Sequence, residues 1–98
     1  MSAQTHPPEV VVRLPHRLRD LAGGRAVAKV RAATVGDAID DLISQHPALR
    51  PRLRDAAGNL RTWMLYFLND EDVRTKQGER TPLTEGDVLA LVVVAEGG

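Results

Sequence analysis

The apolar and polar positions of the N-terminal third predict two strands. Residues 9–14 (EVVVRL) are rich in β-branched side chains and stop at Pro15, which is typical of a strand. Residues 25–31 (RAVAKVR) follow the Gly23-Gly24 pair, which can adopt the positive φ angles of a turn. The pattern therefore indicates a hairpin whose connection spans residues 15–24.

The spacing of apolar residues then changes to that of a helix. Thr34 stands three residues before Asp37, as in a capping box. The apolar residues that follow recur at helical intervals: Val35, Ala38, Ile39, Leu42 and Ile43. Pro47 cannot continue the hydrogen-bond ladder, so the sequence predicts an amphipathic helix that ends near His46.

The rest of the chain returns to strand patterns. Residues 48–59 form a basic connection with room for one short helical turn, and residues 60–68 (LRTWMLYFL) predict a strand buried on both faces at the sheet centre. A short strand within 71–76 and a final strand over 88–94 complete the order.

These elements indicate an α+β roll, a mixed sheet of four to five strands with one main helix on one face. Parallel pairing of the first and last strands makes such a roll a β-grasp. We expect one domain over residues 1–98, with residues 1–8 frayed and residues 95–98 forming a flexible tail.

Composition narrows the possible functions. The 98 residues include no cysteine, which excludes disulfides, thiolate nucleophiles and iron–sulfur clusters and suits the cytoplasm. Thirteen basic and thirteen acidic side chains give no net charge, so a nucleic-acid partner is disfavoured. The longest apolar run, residues 88–95, falls well below the ~20 residues of a membrane span, and we predict no membrane association.

The charges are nevertheless unevenly distributed. Residues 1–69 carry ten basic and six acidic side chains, whereas residues 70–98 carry three and seven. This asymmetry predicts that the acidic C-terminal third steers docking onto a basic groove of a partner.

No set of residues predicts a catalytic or metal site. His6, His16 and His46 have no metal-ligand spacing. We interpret the carboxylates of 40–41 and 70–72, and the arginines at 50, 52 and 54, as solvated surface.

The aromatic residues and the end of the sequence are the remaining candidates for function. Trp63, Tyr66 and Phe67 all fall on the strand predicted over 60–68, where any exposed side would be a candidate protein-docking patch. Beyond the last strand come Ala95, Glu96, Gly97 and Gly98. Two terminal glycines make a thin segment that can enter a narrow channel, so the carboxylate of Gly98 is a candidate reactive group.

Four segments in this order resemble the ThiS/MoaD family of ubiquitin-like sulfur carrier proteins, and most closely its CysO type. They are residues 18–24 (LRDLAGG), 34–42 (TVGDAIDDL), 68–74 (LNDEDVR) and 83–91 (LTEGDVLAL), followed by the terminal glycines. Many relatives have a Pro-Pro pair where this chain has Val93-Val94, so we expect the final strand to extend further here.

The resemblance implies a carrier protein that is a substrate of other enzymes. An E1-like activating enzyme of the MoeB/ThiF type would use ATP to adenylate Gly98, with Gly97, Glu96 and Ala95 in its channel. A sulfur donor would then leave a thiocarboxylate at Gly98. A downstream synthase would accept the sulfur for cysteine, molybdopterin, thiamin or a secondary metabolite, and the carrier itself would bind no cofactor.

Two other functions stay open at this point. A ubiquitin-like modifier would join Gly98 to target lysines by isopeptide bonds. A non-catalytic small subunit of a synthase, such as molybdopterin synthase, would bind one large partner stably.

Overall fold

The computed structural model describes residues 6–94 of the chain. Strands and helices follow the predicted order. The strands are β1 (Glu9–Arg13), β2 (Val27–Arg31), β3 (Met64–Leu68), β4 (Glu71–Asp72) and β5 (Val88–Val93). The α-helices are α1 (Val35–Gln45) and the single turn α2 (Arg50–Leu53). Four 3₁₀ segments link them, at His16–Ala22, Pro47–Leu49, Val73–Thr75 and Gly78–Arg80.

The five strands form one mixed sheet in the order β2-β1-β5-β3-β4. β1 and β5 pair in parallel, with Val11 opposite Val88 and Arg13 opposite Ala90, while the other neighbours are antiparallel. The predicted β-grasp is therefore confirmed.

The strand predicted over 60–68 is shorter and lies elsewhere in the sheet. It begins at Met64, because Leu60 instead bridges to Arg54 and the Arg61 N–H donates to the carbonyl of Leu53. The prediction that it is the central strand is wrong, since β5 holds that place. The prediction of a strand buried on both faces is also wrong: Met64, Tyr66 and Leu68 face the core, and alternate residues are half-exposed.

Helix α1 covers the inner face of the sheet, as its periodicity predicts. The side chain of Thr34 accepts a hydrogen bond from the N–H of Asp37 at 3.3 Å, which confirms the cap. The predicted apolar positions of α1 are all buried. The helix ends at Gln45, and the N–H of His46 closes its last turn on the carbonyl of Leu42.

The connections contain more ordered structure than the sequence predicts. The 15–24 loop holds a 3₁₀ helix whose Leu18 and Ala22 are buried, and Gly23 and Gly24 then take φ angles of 70° and 83°. The strand predicted within 71–76 stops at Asp72, because its carboxylate accepts from the N–H of Arg74 and starts a 3₁₀ turn.

The interpretation of the 50–54 arginines as solvated surface is wrong for Arg54, which is 8% exposed. Its guanidinium pairs with Asp40 at 2.9 Å and with Glu79 at 2.8 Å, and it also donates to the carbonyl of Gly58. One arginine thus joins α1, the loop after α2 and the 78–80 turn.

Pro8, inside the segment predicted to fray, accepts a hydrogen bond from the N–H of Ala32 at 3.0 Å. The chain is therefore held from Pro8 onward. The predicted fraying of residues 1–5 and the flexible tail of residues 95–98 lie outside the described residues.

Candidate functional site

The end of β5 is the last point at which the described chain joins the sheet. The N–H of Val94 donates to the carbonyl of Trp63 at 2.9 Å, so pairing with β3 continues one residue beyond Val93. β5 itself ends at Val93, one residue before the predicted end, and a strand longer than that of relatives with a Pro-Pro pair stays a prediction. The four predicted tail residues follow, and all of them lie outside the described residues: Ala95, Glu96, Gly97 and Gly98.

An apolar patch lies on the outer face of the sheet, next to this end of β5. Leu65 sits opposite Val92, and Phe67 sits opposite Ala90. Val92 and Val94 are 38% and 50% exposed, and Leu65 and Phe67 are half-exposed. We call Leu65, Phe67, Val92 and Val94 the outer patch. Apolar side chains gathered on an exposed face are typical of a protein-binding surface.

The three candidate aromatic residues have different surroundings. Phe67 belongs to the outer patch. Trp63 is half-buried, packs against the edge of the core, and carries the Arg61 guanidinium 5.0 Å from its ring centroid. Docking stays a prediction for these two residues.

Tyr66 is 4% exposed on the core side of β3, so its ring is not available to a partner. Within the described part of the chain its hydroxyl has no hydrogen-bond partner. Burial raises the pKa of this phenol, because the charged form loses its hydration. We therefore remove Tyr66 from the docking candidates.

A groove of about 400 Å³ lies beside the outer patch, between the end of β1 and the end of β5. Arg13 and Arg19 are its charged lining residues, and its apolar lining residues include Pro15, Ala90 and Val92. Arg13 lies directly across β5 from Phe67, because both pair with Ala90. Sequence reasoning missed this groove, because the predicted β-grasp places β1 beside β5 but does not specify the register that sets Arg13 opposite Ala90.

The acidic residues of the C-terminal third gather at the other end of the sheet. β5 begins beside Asn69, whose side-chain oxygen accepts from the N–H of Val88 at 3.0 Å. Acidic side chains of both adjoining turns lie there: Asp70, Glu71, Asp72, Glu85 and Asp87. These carboxylates thus lie away from Val94, whereas Arg13 and Arg19 line the groove beside Val92. That the acidic third steers docking onto a basic groove of a partner stays a prediction.

Most of the carboxylates at 40–41 and 70–72 have partners within the domain. Asp40 pairs with Arg54, Asp72 pairs with Arg74 at 2.7 Å, and Asp41 accepts from the N–H of Arg31. The Arg74 guanidinium and N–H lower the pKa of Asp72. Across residues 6–94 no three His, Cys, Asp or Glu side chains form a group suited to a metal ion. No helix in that range is long and apolar enough to cross a membrane.

Comparison with known proteins identifies relatives that match nearly the whole chain. A family model described as the ThiS family matches residues 12–98. The sulfur carrier protein CysO of Mycobacterium tuberculosis is 32% identical over 91% of this chain and 98% of that protein. Small archaeal modifier protein 1 of Haloferax volcanii is 39% identical over 83% of this chain and 91% of that protein.

Solved structures agree with the sequence relatives. A chain in the crystal structure of the Amycolatopsis orientalis BexX/CysO complex superposes with a TM-score of 0.82 and 34% identity, covering 91% of this chain and 99% of that one. The match of fold, length and motifs confirms the resemblance noted from the sequence. The chain belongs to the ThiS family of ubiquitin-like β-grasp proteins, which includes sulfur carriers of the CysO type.

Proposed function

We propose that this protein is a sulfur carrier whose Gly98 carboxylate is adenylated by an E1-like enzyme and then converted to a thiocarboxylate. One observation carries the proposal. The family match runs through Gly98, and the sheet pairing is described as far as Val94, beside a half-exposed apolar patch. A partner can therefore bind the folded domain on this patch while it takes the following four residues into its own site.

The four residues that follow Val94 limit how deep the partner's reactive site can lie. Four residues extend at most roughly 14 Å at 3.3–3.6 Å each. The reacting phosphate of ATP must therefore lie within roughly that distance of Val94 in the docked complex. Gly97 and Gly98 add no side chains, so the channel that admits them can be narrow.

The proposed chemistry takes place in two displacements. An oxygen of the Gly98 carboxylate, which is ionised at neutral pH, attacks the α-phosphorus of ATP and pyrophosphate leaves. The product is an acyl adenylate. A hydrosulfide or persulfide donor then attacks the acyl carbon and AMP leaves, and with a persulfide a thiol must also cleave the S–S bond. The sulfur remains on Gly98 as a thiocarboxylate.

The carrier itself supplies recognition rather than catalysis. Its proposed partners are an activating enzyme of the MoeB/ThiF type and a downstream synthase that accepts the sulfur and regenerates the carboxylate. ATP and the sulfur donor are used by the activating enzyme, and we place the exchange in the cytoplasm. The similarity to a chain of the BexX/CysO complex supports a partner enzyme that holds such a domain.

The first test uses ATP–pyrophosphate exchange by an E1-like enzyme, with the full chain and with a chain lacking Gly98. We expect exchange with the full chain and none with the shortened chain, because the attacking carboxylate is displaced by one residue. The shortened chain keeps the outer patch, so it should compete with the full chain for the enzyme and unfold at the same temperature. Equal exchange with both chains would contradict the proposal.

The 39% identity to a small archaeal modifier protein supports a second candidate function, isopeptide conjugation through Gly98. Incubation of the tagged chain with ATP and a lysate of its host would then give a ladder of higher-mass species on a denaturing gel. A small subunit of a synthase would instead co-purify with one large partner without ATP.

A further inference from the structure

Positive charge is concentrated beside the end of β5. Residues 13–25 carry four arginines and one aspartate, Asp20. Two of these arginines, Arg13 and Arg19, line the groove next to Val92. Arg61 stacks on Trp63, whose carbonyl receives the Val94 hydrogen bond. Cationic side chains therefore lie on both sides of the end of β5.

Three of these arginines have no carboxylate within ion-pair distance among residues 6–94: Arg13, Arg19 and Arg61. The Arg19 Nε donates to the carbonyl of Leu14 at 3.1 Å, and the Arg61 Nε donates to the carbonyl of Pro51 at 3.0 Å. These bonds orient the two guanidinium groups without neutralising their charge. Arg13 is exposed on the outer face of β1, opposite Ala90.

At the acidic end of the sheet, two carboxylates are in ion pairs and two others accept hydrogen bonds from backbone N–H groups. Glu71 pairs with Lys76 at 2.9 Å, and Asp72 pairs with Arg74. Asp87 accepts from the N–H of Thr84 at 2.8 Å, and Glu85 accepts from the N–H of Glu9. Arg13 and Arg19 therefore differ from Glu71 and Asp72 in having no ion-pair partner among residues 6–94.

We infer that the enzyme that takes the tail presents acidic side chains to Arg13 and Arg19, next to the apolar surface that covers the outer patch. This inference rests on the proposed function. Guanidinium groups bind carboxylates through paired, charge-assisted hydrogen bonds, and a groove with two of them fits an acidic loop better than a basic one. Complementary charge around the tail also accelerates encounter in the correct orientation.

The test compares two charge reversals of equal size in the full chain. Arg13→Glu changes the charge beside the groove. Arg80→Glu is the matched control, because Arg80 is exposed, lies close to the start of α1, and lines neither the groove nor the outer patch. The association rate with an E1-like enzyme that adenylates the wild-type chain is measured by stopped-flow fluorescence at low salt.

We expect Arg13→Glu to slow association about tenfold and Arg80→Glu to change it less than about twofold. Arg13→Gln should fall between wild type and Arg13→Glu. The difference should vanish at about 1 M salt, where the screening length is about 3 Å. Folding is checked by circular dichroism, and a neutral Arg13→Gln that folds normally keeps the test valid if Arg13→Glu unfolds.

Two failures can be told apart. If no E1-like enzyme adenylates the wild-type chain, the proposed function fails. The other failure is that wild type is adenylated while Arg13→Glu associates as fast as Arg80→Glu, or faster than wild type. The inference of an acidic partner surface is then wrong, and the proposed carrier function is unaffected.

Discussion

Gly36, in the first turn of α1, lies where the structure leaves no room for a side chain. A Cβ atom placed there would stand 2.7 Å from Oε1 of Glu79 and 3.1 Å from its Cβ. The Glu79 carboxylate cannot simply turn away, because Arg54 holds it at 2.8 Å. Gly36→Ala must therefore displace Glu79 and weaken the ion pair that joins it to Arg54.

The expected cost follows from two opposing effects. Forcing an extra carbon into a packed contact costs about 1–3 kcal/mol. Replacing glycine by alanine within a helix stabilises the fold by up to about 1 kcal/mol, because alanine has the higher helix propensity. We expect Gly36→Ala to lower the free energy of unfolding by about 1–2 kcal/mol. In a chain of this size that corresponds to a fall of roughly 4–16 °C in melting temperature.

The assay is urea and thermal unfolding followed by circular dichroism, in the wild-type and Glu79→Ala backgrounds. Glu79→Ala removes the oxygen that lies 2.7 Å from the added Cβ. The Glu79 Cβ, 3.1 Å from the added atom, is kept, so Gly36→Ala should still cost something in that background but less than in wild type, with a coupling free energy of about 1 kcal/mol. The same loss in both backgrounds, or no loss in wild type, would refute the proposed contact between α1 and Glu79.

Two further predictions concern single polar groups. Tyr66→Phe should leave stability unchanged or raise it slightly in urea unfolding, because the buried hydroxyl has no partner within the described residues; a loss above about 1 kcal/mol would reveal a hidden hydrogen bond. For Asp87, burial alone would raise the pKa, but hydrogen bonds from Thr84 and Asn69 outweigh it and lower the pKa below 3.8. Its ionised form therefore stabilises the fold above pH 3.8, and this stabilisation is lost as the pH falls through the lower, folded-state pKa. Asp87→Asn should be less stable than wild type at neutral pH, with the difference shrinking in acid, and an equal difference at every pH would contradict this assignment.

Local patterns predict the elements whose side chains follow one clear period. The spacing of apolar residues in α1, the Thr34 cap and the β-branched run of β1 each specify their element, and the structure confirms them. The residues that the sequence misassigns are those whose neighbours are distant in the chain. Leu60 looks like a strand residue, but its bridge to Arg54 keeps it out of the sheet.

Charge pairing and burial are predicted less well than secondary structure, because they too depend on residues that are distant in the chain. Arg54 stands in a basic run and is buried only because Asp40 and Glu79 come from other elements to neutralise it. The groove between Arg13 and Val92 depends on the register of β1 against β5, which no local pattern specifies. The tail residues were predicted from their sequence and family resemblance, and their role remains a proposal.

The most direct test of the central claim is the intact mass of the protein after incubation with ATP, sulfide and an E1-like activating enzyme. We expect a mass gain equal to the exchange of one oxygen for sulfur, confined to the C-terminal peptide that contains Gly98. The chain lacking Gly98 should show no gain. An unchanged mass for the full chain, with an enzyme that catalyses its pyrophosphate exchange, would contradict the sulfur carrier function and favour conjugation through Gly98.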